Sequence, residues 1–196
     1  MIKSILLIVD PQNDFITGTL AVEEAKEKMM QLSAYIDNLN CKYDSICITM
    51  DTHPDDHCSF KTNGGIWPSH CVTYTAGWNL PKYLDHALCT FSNLSGKLYS
   101  YYHKGTHSNK EEYSIFDNNE DGVKLANWIQ ELSKENEVYV DICGIAGDYC
   151  VLETLKGLRK IMGDNYIRVR TEFTASIDGG EKLLRYLDEN NINYTT

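Results

Sequence analysis

Near the start of the chain, Ile5-Leu6-Leu7-Ile8-Val9 forms an unbroken apolar run that stops at Asp10. Such a run is the pattern of a parallel strand buried on both faces, because a strand with one wet face alternates apolar and polar positions. The period then changes. Between 23 and 39, Met29, Leu32, Ile36 and Leu39 recur at three- and four-residue spacing, which gives a helix one apolar stripe. The same reading predicts strands over 45–50, 97–102, 138–143 and 166–169, and helices over 123–132, 151–161 and 181–187. From 51 to about 79 the chain is rich in Pro, Gly, Trp, His and Ser and keeps no period, so it reads as a long loop. Long ordered loops in compact domains are usually functional. No assignment is made for 80–95.

Strands alternating with helices at these intervals predict an α/β fold, a parallel sheet covered by helices on both faces, with ligands at the carboxyl ends of the strands. Asp10, Asp51, Lys104 and Cys150 all fall at or just past such ends. At 196 residues, 42% hydrophobic and 23% charged, the chain supports one good core, and 1–196 is expected to form a single domain.

A formal net charge of −10 opposes any general grip on phosphate backbones or anionic lipid, so neither nucleic acid nor membrane is expected as a partner. Seven cysteines with no C-x-x-C pair fit a reducing compartment better than a disulfide ladder. The short run 5–9 ends in an aspartate without a cleavage-type segment, and no stretch is long enough to span a bilayer, so the expected location is the cytoplasm. A homo-oligomer is compatible with all of this.

Cys150 lies in Gly144-Ile-Ala-Gly-Asp-Tyr-Cys-Val151, where the strand over 138–143 turns into the following helix. Amide groups in the first turn of a helix have no intrahelical partner, and they lie at the positive end of the helix dipole. A thiolate there is expected to be stabilised and its pKa lowered, and the same amides can hold an oxyanion. Asp10 is a candidate general base, and Lys104 a cation that would keep Asp10 ionised and help lower the thiol pKa. Each has a plainer role available: a buried structural thiol, a turn-capping aspartate before proline, a solvated lysine.

The long loop carries Asp51-Thr-His53-Pro-Asp-Asp-His57 and Trp67-Pro-Ser-His70-Cys71. A D-x-H pair leaving a strand puts both side chains on one face, and a third ligand can arrive from further along the loop. Two imidazoles and a carboxylate suit zinc, iron or manganese with positions open to water or substrate. A structural zinc on Cys58, Cys71, His57 and His70 is the rival arrangement. His57 is otherwise an outer-sphere or surface histidine.

Taken together and in order, Val9-Asp-Pro-Gln-Asn-Asp-Phe15, the loop from Asp51 to Phe60, Trp67-Pro-Ser-His70-Cys, Lys104-Gly and Gly-Ile-Ala-Gly-Asp-Tyr-Cys150-Val resemble the nicotinamidases of the isochorismatase-like cysteine hydrolase family. The resemblance implies a three-layer α/β/α fold with a six-stranded parallel sheet. It implies a triad of Asp10, Lys104 and Cys150, a divalent metal, zinc first and iron or manganese next, on Asp51, His53 and His70, and a cis peptide between Ile145 and Ala146. The oxyanion hole would be the amides of Ala146 and Cys150. Phe15 and Trp67 would flank the substrate ring, and Tyr113 would close the pocket. Gly147 stands where many relatives carry a larger residue, which is expected to loosen the turn. The implied activity is hydrolysis of nicotinamide to nicotinate and ammonia in NAD salvage. The alternatives are another small-amide or carbamoyl hydrolase on the same fold, or a non-catalytic metal-binding interaction domain.

Overall fold

The N-terminal apolar run is the heart of strand β1 (Ile2–Val9), the third strand of a six-stranded sheet. The structure is a computed structural model that describes residues 1–38, 42–117 and 119–195. After a single short turn of helix, α1 (Asn13–Ile16), the chain forms α2 (Ala25–Asp37), β2 (Ser45–Asp51), α3 (Lys82–Ser95), β3 (Leu98–Lys104), α4 (Glu120–Glu135) and β4 (Glu137–Ile145). It ends with α5 (Leu152–Met162), β5 (Ile167–Ala175), α6 (Glu181–Glu189) and β6 (Asn193–Thr195). Leu39, expected to end the first long helix, lies outside the described residues. Helix α3 occupies 82–95, where the sequence pattern predicts no element, and the pattern does not predict the three-residue β6 either.

All pairings are parallel and the strand order is β3-β2-β1-β4-β5-β6. The chain winds outward from β1 to β3, then returns to pair β4 with the other side of β1. That reversal opens a crevice at the carboxyl ends of β1 and β4, where ligands bind in doubly wound sheets.

The continuous apolar run is explained by the two cores it serves. Leu6 and Ile8 pack with Met29, Leu32, Leu84 and Leu88 from α2 and α3, whereas Ile5, Leu7 and Val9 pack with Leu125, Leu155, Leu158 and Leu187 from α4, α5 and α6. Successive side chains point to opposite faces, so a strand covered by helices on both sides must be apolar throughout. Among the described residues, no helix is long and apolar enough to cross a membrane, and every cysteine is free.

Candidate active site and metal centre

Asp10 follows β1 directly, and the register that sets Val9 beside Thr49 places the Thr49 hydroxyl next to it. Thr49 Oγ1 donates to Asp10 Oδ1 at 2.7 Å. The other oxygen, Oδ2, is 2.8 Å from Lys104 Nζ, yet it accepts no well-aligned hydrogen bond. Asp51 and Lys104 are the paired last residues of β2 and β3, and the Lys104 ammonium forms an ion pair with Asp51 as well. Lys104 Nζ also lies 3.6 Å from Cys150 Sγ and 3.3 Å from the Glu112 carbonyl oxygen. A fully buried ammonium needs such partners to offset desolvation. Burial works against the Lys104 charge, but Asp10 and Asp51 outweigh it and hold the ammonium well above its ordinary range.

Cys150 sits in a widened turn, Gly147–Val151, between β4 and α5. The peptide bond between Ile145 and Ala146 is cis. The Ala146 carbonyl accepts from the amides of Tyr149 at 3.1 Å and Val151 at 3.1 Å, which closes the turn around Cys150. Gly147, expected to loosen the turn, lies against the segment that follows β5. A Cβ there would stand 2.1 Å from Ser176 Oγ, so the glycine is what lets the segment after β5 pack against it.

The expectation of a lowered thiol pKa is corrected by the structure. Burial pushes the Cys150 thiol well up; Lys104 pulls it down, but Asp10 and Asp51 push the same way as burial. Burial likewise raises Asp10 against the pull of Lys104. The thiol therefore rests protonated, within hydrogen-bonding reach of a carboxylate of raised basicity. Asp51 behaves differently. Burial opposes its charge, but Lys104, His53 and His70 together hold it far below the usual carboxylate range.

His53 continues the extended backbone of β2, its amide donating to the Cys71 carbonyl at 3.1 Å, so Asp51 and His53 share a face. His70 comes back along the loop. The Cys71 amide donates to Asp14 Oδ2 at 2.8 Å, and Thr19 Oγ1 to the Ser69 carbonyl at 2.7 Å, which fixes His70 from both sides. The ring Nδ1 of His53 is 2.9 Å from the Gly105 carbonyl and that of His70 is 2.7 Å from the Pro68 carbonyl. With Nδ1–H donated to a carbonyl, each imidazole turns a lone pair on Nε2 toward Asp51, at 3.6 Å from His53 and 4.0 Å from His70. His53 Nε2 is buried without a partner, and the ligand atoms of Asp51, His53 and His70 all lie within 4.8 Å of one another. This donor set fits a divalent cation.

Gly105, with φ of +65°, is needed here, because a Cβ would stand 2.4 Å from the His53 ring. Phe60 packs beneath the histidines, 5.6 Å from the His53 centroid and 5.4 Å from that of His70. The rival zinc site does not form. The metal-type clusters among the described residues are Asp51-His53-His70 and Asp10-Asp51-Cys150, neither of which contains Cys58 or Cys71. His57 is engaged elsewhere, Nδ1 with Ser59 Oγ at 2.7 Å and Nε2 with the Lys110 carbonyl at 3.0 Å.

A small cavity joins the two clusters. Asp51, His70, Ala146 and Cys150 line it together with Phe15, Trp67 and Tyr113. Trp67 Nε1 donates to Tyr113 Oη at 3.1 Å. The triad, metal-ligand, Ala146 and aromatic candidates drawn from the sequence thus lie around one place, whereas Cys58, Cys71 and His57 of the rival zinc set form no such cluster. Sequence reasoning missed Tyr149, which packs edge-on to Trp67 with centroids 5.1 Å apart, and Glu111, whose carboxyl is raised by burial and then by Asp51. It also missed Gln12, fully buried behind Asp51. For Tyr149 a signal existed, its position beside Cys150. Gln12 and Glu111 carried none, since their neighbours come from other segments.

No family model matches the chain. It is 30% identical over 177 residues to the nicotinamidase/pyrazinamidase of Mycobacterium tuberculosis, covering 88% of this chain and 86% of that protein. The crystal structure of the pyrazinamidase of Pyrococcus horikoshii in complex with zinc superposes with a TM-score of 0.78 at 28% identity, covering 99% of each chain. That of PnC1 from L. infantum in complex with nicotinate gives a TM-score of 0.81 at 26% identity, covering 99% of this chain and 92% of the other.

Proposed function

The chain belongs to the nicotinamidase/pyrazinamidase family, and we propose that 1–196 act as one hydrolase domain in which Cys150 converts nicotinamide to nicotinate and ammonia through a thioester. The observation that carries this reading is the meeting of Cys150, Asp10 and Lys104 with an aromatic-walled cavity at the sheet's switch point.

Asp10 takes the thiol proton as the sulfur attacks the amide carbon. Its Oδ1 is held by Thr49, and its Oδ2 faces Lys104 without an aligned donor, so Oδ2 has a lone pair to receive that proton. The amides of Ala146 and Cys150 hold the oxygen as it becomes negative, in a pocket where fixed dipoles count for more than they do in water. The C–N bond then breaks, Asp10 returns the proton to the leaving nitrogen, and ammonia departs. Asp10 next takes a proton from water, whose oxygen attacks the acyl carbon. The C–S bond breaks, and nicotinate leaves as the thiol recovers its proton. Lys104 stays charged throughout, steadying Asp10 in both directions.

Phe15 and Trp67 flank the pyridine ring and Tyr113 closes over it. Asp51, His53 and His70 would hold the divalent metal, which we assign as zinc and which would supply a Lewis-acid site for the ring nitrogen. The test is direct: purified protein given nicotinamide is expected to release nicotinate and ammonia in equal amounts. Release of neither product by metal-loaded protein overturns the reading.

A further inference from the structure

Tyr149, next to the nucleophile, has its ring nearly perpendicular to that of Trp67, with centroids 5.1 Å apart, and lies 5.5 Å from the Tyr113 centroid. It is anchored from outside the cavity, by α6. Lys182, on the first turn of that helix, donates from Nζ to the Asp148 carbonyl at 2.7 Å, which carries its ammonium over the Tyr149 ring, 4.8 Å from the centroid. Asp148 is held in turn, its Oδ1 accepting from the Ile177 amide at 2.9 Å, and Ile177 lines the cavity. The lead-in to α6 is itself braced, because Asp178 accepts from the amides of Gly180 at 2.8 Å and Lys182 at 2.8 Å. A cation held over an aromatic face by a second hydrogen bond restrains both partners.

We propose that Lys182 is a positioning residue for the substrate ring: by clamping Asp148 and the Tyr149 ring, it fixes the wall of the pocket that Tyr149 forms with Trp67 and Tyr113. Lys182 touches neither the reacting atoms nor the cavity. Its loss acts on ring binding rather than on proton transfer, since Asp10, Lys104 and Thr49 belong to a separate set of contacts.

The proposal rests on nicotinamide being the substrate, so the experiment reads the clamp in two ways. In kinetics, Lys182→Met is expected to raise KM for nicotinamide about fivefold with kcat held within about twofold, and Lys182→Arg, which keeps a donor and a cation, to restore KM within about twofold. Without substrate, the Trp67 indole N–H resonance senses the Tyr149 ring that lies edge-on to it. It is expected to move in Lys182→Met and to return in Lys182→Arg, while those of Trp78 and Trp128 stay in place. A Trp67 resonance unmoved in Lys182→Met overturns the proposal, as does a fall in kcat at unchanged KM. If the unmutated protein does not hydrolyse nicotinamide, the functional reading fails and the resonance alone decides the clamp.

Discussion

The side-chain amide of Gln12 and the backbone of Asp51 are joined by a reciprocal pair of hydrogen bonds: Gln12 Nε2 donates to the Asp51 carbonyl at 2.8 Å, and the Asp51 amide donates to Gln12 Oε1 at 2.8 Å. Gln12 Nε2 also donates to the Trp78 carbonyl at 2.9 Å, tying the end of β2 to the far side of the long loop. Asp51 thus presents its carboxylate from a backbone that cannot rotate freely.

Outer contacts of this kind typically govern metal affinity by about 10–100-fold when removed. Gln12→Ala should therefore weaken metal binding within that range while the protein still folds. Competition against a chelator of known affinity measures it, and unchanged affinity would detach Gln12 from the metal site.

Lys104 supplies a second prediction because it is the ammonium paired with both Asp10 and Asp51. Removing one partner from a buried ion cluster leaves unpaired charge in a dry interior, at a cost of about 3–5 kcal/mol. Lys104→Met should lose stability on that scale in denaturant unfolding, along with activity. Loss of activity at unchanged stability would mean that water reaches the two carboxylates.

His57 gives a prediction in pH. Burial first, and the neighbouring His53 next, lower its pKa to about 4 from an ordinary 6.5. Above pH 6.5 the ring is neutral whether the chain is folded or not. Between 6.5 and 4 the unfolded chain binds a proton that the folded one refuses, so folding stability falls as the pH drops through that window and the loss is complete below it. His57→Asn should flatten that slope. It should also keep its metal, because neither ring nitrogen is free, whereas His53→Asn should lose it.

Much of this could be read from the sequence, for a physical reason. The unbroken apolar run 5–9 marks β1, and Val138, Val140, Ile142 and Cys143 mark β4 despite the buried Asp141 among them, so candidate residues at strand ends then fall on one edge. Helix α3 was readable too, since Leu84, Ala87, Leu88 and Phe91 make its buried stripe. The signal was obscured by exposed Leu94 and by the aperiodic loop that leads into the helix. Strand β6 is only Asn-Tyr-Thr, and its pairing with β5 defines it. Thr49 reaches Asp10 through strand register, which no local pattern encodes. The direction of the thiol pKa is not legible in the sequence, because the burial and the two carboxylates that outweigh the helix start come from other segments.

The ring nitrogen tests the metal site. Benzamide has carbon where nicotinamide has the pyridine nitrogen, so kcat/KM for benzamide should be lower by about 100-fold or more, roughly 2.7 kcal/mol of transition-state stabilisation. Removing the metal should erase most of that preference. Equal hydrolysis of both amides by metal-loaded protein would remove the ring nitrogen from the metal's role.

The central claim is the covalent bond between substrate and Cys150. Rapid acid quenching during nicotinamide turnover, followed by peptide mass spectrometry, should find a nicotinoyl group on the peptide that contains Cys150, forming and decaying at rates that account for turnover. Cys150→Ala should show neither the adduct nor more than about a thousandth of the rate. Full turnover with no acylated Cys150, or a Cys150→Ala protein that keeps a tenth of the activity, would contradict the thioester mechanism.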